Sequence, residues 1–253
     1  MDLNLLGKSC LVTGGVQGLG RALCENLAKE GVRIAVNYRT NAAKAQDTVQ
    51  ELKDKYGVQS FSVAGDVRDE SDVSRMFAET IERMGGLDLL VNNSGICPTS
   101  LVKDMSLQEW EDVLATNLTG TFLTCREMVR YLLDNNKSGR IVNICSQAAF
   151  NGSVSGKTHY AASKGGMMTF THSLAKEVSR YGITVNALAP GMIYTDMTAA
   201  KIERDIEKYK REIPIGRIAT LDEVAQAAVF LLSDAAGYMT GSLMDVSGGM
   251  IGR

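Results

Sequence analysis

Short apolar runs alternate with longer amphipathic stretches along the whole chain. Ser9 to Thr13, Arg33 to Tyr38, Gln59 to Ala64, Asp88 to Val91, Arg140 to Ile144, Thr184 to Leu188 and Leu243 to Val246 are compact and mostly apolar or β-branched. That length and composition predict buried strands. Between them, apolar positions recur at helical spacing in Arg21 to Lys29, Ala42 to Tyr56, Glu70 to Met84 and Leu118 to Leu133, which predicts helices with one face on a core. Strict alternation implies right-handed crossovers and an α/β fold, a doubly wound parallel sheet with helices on both faces. No repeat, low-complexity tract or linker interrupts the pattern, so one domain over 1–253 is expected. In such sheets ligands bind beyond the carboxyl ends of the strands. The unusual residues of this chain lie just there.

Composition narrows the class. The chain is 45% hydrophobic and 22% charged, enough for a sizeable core and a soluble surface. A net charge of -2 with no Lys/Arg cluster gives no electrostatic reason to expect nucleic acid. Five scattered cysteines, none in a C-x-x-C pair, suggest neither a disulfide framework nor a zinc site. No metal is expected. No apolar window approaches the roughly 18 residues of a membrane span, and the N-terminus lacks a basic segment followed by an apolar stretch. A soluble cytoplasmic protein with no membrane partner is the expectation.

The first strand runs into Thr13-Gly14-Gly15-Val16-Gln17-Gly18-Leu19-Gly20 and then a helix. Gly14 suits a tight turn, Gly18 lets backbone amides approach a pyrophosphate, and Gly20 lets the helix pack on the strand. The helix N-terminus would face the anion with its free N–H groups. A flexible turn is the plain alternative, but strand, turn and helix in this order favour a phosphate loop. The second strand ends in Tyr38-Arg39-Thr40-Asn41, with no carboxylate to take ribose hydroxyls. Arg39 can pair with a 2′-phosphate, so NADP is expected and NAD remains possible. A solvated helix-entry role is the alternative for Arg39. Asp66-Val67 follows the third strand, where Asp66 could accept from an adenine amino group or cap the helix near Asp69. Asn93 and Gly95, in Asn92-Asn93-Ser94-Gly95, follow the fourth strand and suit the wall of a cofactor crevice as well as a plain turn.

Tyr160 and Lys164 stand four residues apart in a helical stretch running toward Arg180 and share a helix face. An ammonium beside a phenol favours the phenolate, lowering its pKa from ~10. Such a Tyr can exchange a proton with a carbinol oxygen near neutral pH. Ser146, after the fifth strand, could polarise a carbonyl. Each residue alone has a bland reading as packing, solvation or a turn.

In combination, TGGVQGLG, NNSG, Asn117, Ser146, YAASK and Pro190-Gly191-Met192-Ile193-Tyr194-Thr195 resemble the short-chain dehydrogenase/reductase family over residues 6 to 250. The 3-oxoacyl-acyl-carrier-protein reductase branch is the most similar, in length, in the VNY segment and in the DVSGGM ending. The resemblance implies a Rossmann-type sheet of about seven strands, usually assembled as a homotetramer through two long helices and the last strand. It implies Tyr160 as acid/base, Lys164 as its tuning group and ribose ligand, and Ser146 as carbonyl-orienting group. Asn117 matches the family residue that holds a water between the lysine and solvent. Pro190 and Gly191 match the turn beside the nicotinamide, and Ile193 and Thr195 its carboxamide contacts. The implied reaction is hydride transfer between NADP(H) and a carbonyl or secondary alcohol, foremost a 3-oxoacyl thioester on acyl carrier protein. A free small alcohol, sugar or steroid-type substrate is the alternative, and a non-catalytic nucleotide-sensing protein on the same fold the alternative of another class.

There are departures from the pattern. Gln17 stands where many NADP-using relatives carry a basic residue. The Gln147 to His159 loop is about one residue longer than commonest in the branch and carries Lys157 and His159. His159 is expected at the surface, with contact to the substrate as the alternative, His172 is expected to be structural and Cys145 to act as a small apolar residue. Residues 193–217, with a mixed helix Ala199 to Arg211, are expected to form a substrate lid. Arg130, Lys137 and Arg180 suggest a basic docking surface near the site mouth.

Overall fold

The computed structural model describes residues 2–153, 156–195 and 198–251. Within them the strands are β1 (Ser9–Val12), β2 (Arg33–Tyr38), β3 (Ser60–Ala64), β4 (Leu89–Asn92), β5 (Gly139–Ile144), β6 (Ile183–Pro190) and β7 (Leu243–Val246). They form one parallel sheet in the order β3-β2-β1-β4-β5-β6-β7, so the strand order reverses between β1 and β4. The helices are α1 (Gly18–Lys29), α2 (Ala42–Tyr56), α3 (Glu70–Met84), α4 (Leu107–Leu114), α5 (Gly120–Asp134), α6 (Ala148–Asn151), α7 (Thr158–Val178), α8 (Ala199–Arg204), α9 (Ile206–Glu212) and α10 (Leu221–Leu232).

Alternate strand residues divide the core in two, as a pleated strand requires. Cys10, Val12, Ile34, Val36, Leu89 and Val91 pack with α1, α2 and α10 on one face. Leu11, Ala35, Phe61, Leu90, Ile141 and Val185 pack with α3, α5 and α7 on the other. Strands buried on both faces read as continuous apolar runs, which is why the sequence pattern located them to within one or two residues. Helix starts follow local chemistry. Asn41, Asp69 and Ser106 each accept from the backbone N–H three residues on, and Thr220 with Glu223 closes a capping box.

Two helical expectations are corrected. The stretch expected from Leu118 begins earlier: α4 passes through a π-helical turn, Ala115–Thr119, directly into α5. The expected helix Ala199 to Arg211 is two short helices divided at Asp205, and Ile202, Tyr209 and Ile213 are buried together against Met192 and Met250. Asp196 and Met197, within the expected lid, lie outside the described residues. Among the described residues no helix is long and apolar enough to cross a membrane.

Candidate active site

The phosphate loop leaves β1 with Gly14 and Gly18 at positive φ, +62° and +51°. Neighbouring strands hold it from below. Thr13 Oγ1 accepts from the amides of Asn93 and Ser94 at 2.9 and 3.0 Å, and Asn93 Nδ2 donates to the carbonyls of Thr13 and Gly14 at 3.1 Å. A Cβ at Gly20 would overlap Gly14 O and lie 2.6 Å from Asn93 Nδ2. The third glycine therefore serves loop closure on the strand. Gln17 precedes α1 without capping it, and the first turn holds no acidic side chain. The N–H groups and dipole of α1 are thus left for an anion.

At the second strand, Asn37 Oδ1 accepts from Gly14 N at 3.2 Å, while Arg39 follows Tyr38 with its side chain half exposed, 52%. Arg39 lies 3.9 Å from Asp66 Oδ2. Arg68 takes that carboxylate more closely, with Nη2 2.7 Å from Oδ2 and Nε 3.0 Å from it. Burial acts to raise the Asp66 pKa, but the hydrogen bonds from Arg68 outweigh it and hold the carboxyl below its ordinary value. Asp69, not Asp66, caps α3. Thr40 is exposed, and Asn41 is spent on capping α2 through Lys44 N. Lys44 Nζ donates to Gln17 Oε1 at 3.1 Å. The sequence reading missed Lys44, which reaches Gln17 from a segment distant along the chain, and Arg68, whose grip on Asp66 depends on the turn between them. Val67 is buried and packs where Gly120 leaves α5 without a side chain.

The π turn carries Asn117, which is fully buried. Its Oδ1 accepts from Ile96 N at 2.8 Å, and its Nδ2 donates to Ile96 O and Ser163 Oγ, both at 3.0 Å. π turns recur at functional sites because one extra residue re-aims a side chain. Gly95 lets the chain pass between Asn117 and Lys164: a Cβ there would meet Asn117 Oδ1 at 3.2 Å and Lys164 Nζ at 3.8 Å.

Ser146 leaves β5 at the level where Cys145 N donates to Leu188 O and Gln147 N to Pro190 O, at 2.7 and 3.1 Å. Its hydroxyl hydrogen-bonds the Tyr160 phenol, stabilising the phenolate, but burial dominates and pushes the Tyr160 pKa well up. Lys164 is buried, and its Nζ donates to Ile144 O at 2.7 Å and lies 5.8 Å from the Tyr160 ring centre. Burial lowers the Lys164 pKa. A phenol lowered by the neighbouring ammonium is the expectation from sequence; in this structure burial instead pushes the Tyr160 pKa up. Cys97 and Cys145 flank both groups electrostatically, each opposing ionisation of the phenol. Neither role was legible beforehand.

Pro190 ends β6, and Gly191 N donates to Val246 O at 3.1 Å. Ile193 forms an isolated bridge with Ala219. Thr195 N donates to Thr198 Oγ1 at 2.9 Å, and the Thr195 methyl stands 3.6 Å from where a Gly18 Cβ would lie. The root of the expected lid therefore overhangs the phosphate loop. Leu19, on the first turn of α1, is core.

Two expectations fail here. His159 is not at the surface but fully buried, with Nε2 3.3 Å from Glu109 Oε1 of α4. Lys137 and Arg180 do not border the site mouth. They line a groove with Leu132, Leu133, Asn136 and Tyr181, just before β5 and β6 begin, at the amino edge of the sheet. Arg130 is paired with Glu127 at 2.9 Å. His172 Nδ1 lies 3.3 Å from Gly241 O, joining α7 to the segment before β7. Among the described residues no three His, Cys, Asp or Glu side chains converge as a metal site.

Residues 14–251 match the family model described as enoyl-(acyl carrier protein) reductase. The chain is 42% identical to the 3-oxoacyl-[acyl-carrier-protein] reductase FabG of Aquifex aeolicus over 250 residues, covering 99% of this chain and 100% of that one. A short-chain type dehydrogenase/reductase from Mycobacterium marinum superposes with a TM-score of 0.94 at 28% identity, covering 100% of this chain and 98% of that one. A variant of actinorhodin polyketide ketoreductase, solved with NADPH, superposes with a TM-score of 0.91 at 32% identity, covering 97% and 98%.

Proposed function

The chain belongs to the short-chain dehydrogenase/reductase family and is an oxidoreductase, and on that premise we propose that it reduces 3-oxoacyl thioesters on acyl carrier protein with NADPH. The observation that carries the reading is the Tyr160 phenol, hydrogen-bonded by Ser146 and followed one turn on by buried Lys164. A nicotinamide cofactor supplies the hydride when bound. The residues suited to hold it fit: the uncapped start of α1, the amides from Gly14 to Gly20, and the Gly95 wall whose cradle a Cβ would narrow. Pro190, Gly191, Ile193 and Thr195 would border its nicotinamide end, and Asp66, Val67 and Asn93 its adenosine side.

Ser146 and Tyr160 would hold the ketone oxygen, and Tyr160 would deliver the proton that the developing alkoxide takes. With an ordinary pKa of ~10, pushed up further by burial, this phenol carries its proton at neutral pH, as a proton donor to the ketone oxygen must. Lys164 would hold the ribose beside it. Asn117, with both amide hydrogens engaged, acts by fixing Ile96 and Ser163 around the site. NADP is favoured by Arg39 together with Lys44, two cations at the crevice where no carboxylate follows Tyr38.

The substrate rests on the names of relatives such as the Aquifex reductase. The same reading includes one domain over 1–253 with a lid at 193–217, and a cytoplasmic homotetramer. Phe122 on α5 and Tyr181 after α7 are 41% and 48% exposed, and β7 is an incompletely covered edge, as faces awaiting another copy would be. The test is NADPH oxidation with a panel of 3-oxoacyl thioesters, sugars, diketones and steroids. Thioesters should be turned over best. Turnover confined to a free sugar, diketone or steroid would replace the substrate.

A further inference from the structure

We propose that buried His159 and the Glu109 carboxylate facing it form a positioning element that sets the place of Tyr160. His159 is the residue immediately before Tyr160, on the first turn of α7, and its side chain has no exposed surface. Its Nε2 lies 3.3 Å from Glu109 Oε1. Among the described residues neither ring nitrogen of His159, nor Glu109 Oε1, makes an aligned hydrogen bond. The 3.3 Å approach of Nε2 to Oε1 is the polar contact between them, and burying an imidazole and a carboxylate oxygen without it would cost each its hydration.

The location gives the pair its purpose. Glu109 belongs to α4, which runs unbroken through the π turn to Asn117. Asn117 Nδ2 in turn donates to Ser163 Oγ on α7. Two polar ties thus join the same two helical segments, one at Glu109 and His159, the other at Asn117 and Ser163. Tyr160 lies between the two anchored positions on α7, and Ser163 Oγ also donates to Tyr160 O at 2.7 Å. Lys157 precedes α7 without capping it, so no side chain of that residue fixes its first turn. A buried polar network specifies one arrangement where an apolar contact would tolerate sliding. Misplacement of a reacting group by about 1 Å can cost about a hundredfold in rate.

This inference rests on Tyr160 as the proton donor, and one readout needs no substrate. Ultraviolet difference titration of each protein against its Tyr160→Phe counterpart isolates the Tyr160 phenol. In the parent, burial should hold it protonated beyond the ordinary ~10. In Glu109→Gln, which keeps shape on a partly exposed helix, a loosened first turn should admit water and bring the titration back toward ordinary values. The second readout is single-turnover hydride transfer at saturating NADPH. Glu109→Gln and His159→Gln should each slow it about tenfold, with NADPH affinity within about twofold of the parent, and the double variant should lose no more than either single. An unchanged titration with Glu109→Gln overturns the proposal whatever the substrate proves to be. Additive losses in the double variant also overturn it. A parent that turns over no thioester defeats the substrate reading alone, because the titration still reports on the pair.

Discussion

Lys164 Nζ donates to the main-chain carbonyl of Ile144 at 2.7 Å, at the last residue of β5 and two before Ser146. The bond joins the helix that carries Tyr160 to the strand that delivers Ser146. It also places the ammonium 5.8 Å from the phenol ring centre. Burial pushes the pKa of that phenol up.

Tyr160→Phe keeps the ring packing and removes the proton donor. Turnover should fall by about 10²–10⁴-fold, the usual scale of general-acid catalysis, with NADPH affinity nearly intact. Steady-state rates beside fluorescence titration of NADPH check both halves. Activity within tenfold of the parent would remove Tyr160 from the chemistry.

Much of this site was legible because it follows strands that are themselves legible. Apolar runs buried on both faces fix where β1, β4, β5 and β6 end, so Gly14, Asn93, Ser146 and Pro190 fall at the carboxyl edge. What escaped depends on contacts between distant segments. Nothing around Lys157-Thr158-His159 signals burial, since the partner Glu109 lies 50 residues earlier. The clamp of Arg68 on Asp66, close in sequence, escaped for another reason: it depends on the turn that directs both side chains to one side. The π turn at Asn117 is invisible to periodicity, because one extra residue leaves the apolar pattern of α4 and α5 almost unchanged.

Gly20→Ala should destabilise the loop and dinucleotide binding together. The added methyl would press on Gly14 O and on Asn93 Nδ2, the group that donates to Gly14 O. Overpacking of this kind costs about 1–3 kcal/mol, read as a lowered urea midpoint and weaker NADPH binding. A variant with parent-like stability and affinity would show that the loop has slack.

Arg39→Asp should move cofactor preference toward NAD, since it replaces a phosphate partner with a carboxylate that repels a 2′-phosphate and accepts from ribose hydroxyls. Lys44→Gln should weaken NADP binding and leave NAD binding within about twofold, a loss of about tenfold being typical of one charge-assisted hydrogen bond. Calorimetric titration with the two oxidised cofactors decides each. An unchanged affinity ratio in Arg39→Asp would show that the discriminator lies elsewhere.

Lys164→Met separates what the ammonium does for catalysis from what its burial costs the fold. Hydride transfer should fall and cofactor affinity weaken, by the loss of a charge-assisted hydrogen bond worth roughly 1.5–3 kcal/mol. Stability should behave differently. Burial depresses the Lys164 pKa in the folded chain, so between that value and the unfolded ~10.4 the unfolded chain binds more protons. Parent stability relative to the Met variant should therefore rise with pH through that window and stay level below it. The slope cannot exceed about 1.4 kcal/mol per pH unit for one group. The Tyr160 shift works in the opposite sense, costing stability as pH rises past ~10, but that residue is present in both proteins and largely cancels in the difference. Urea unfolding of the two proteins at intervals from pH 7 to 10.5 measures the difference directly. A difference that stays flat, or falls, would mean that the folded chain holds the Lys164 ammonium as easily as water does, and that burial does not set the charge state of the site.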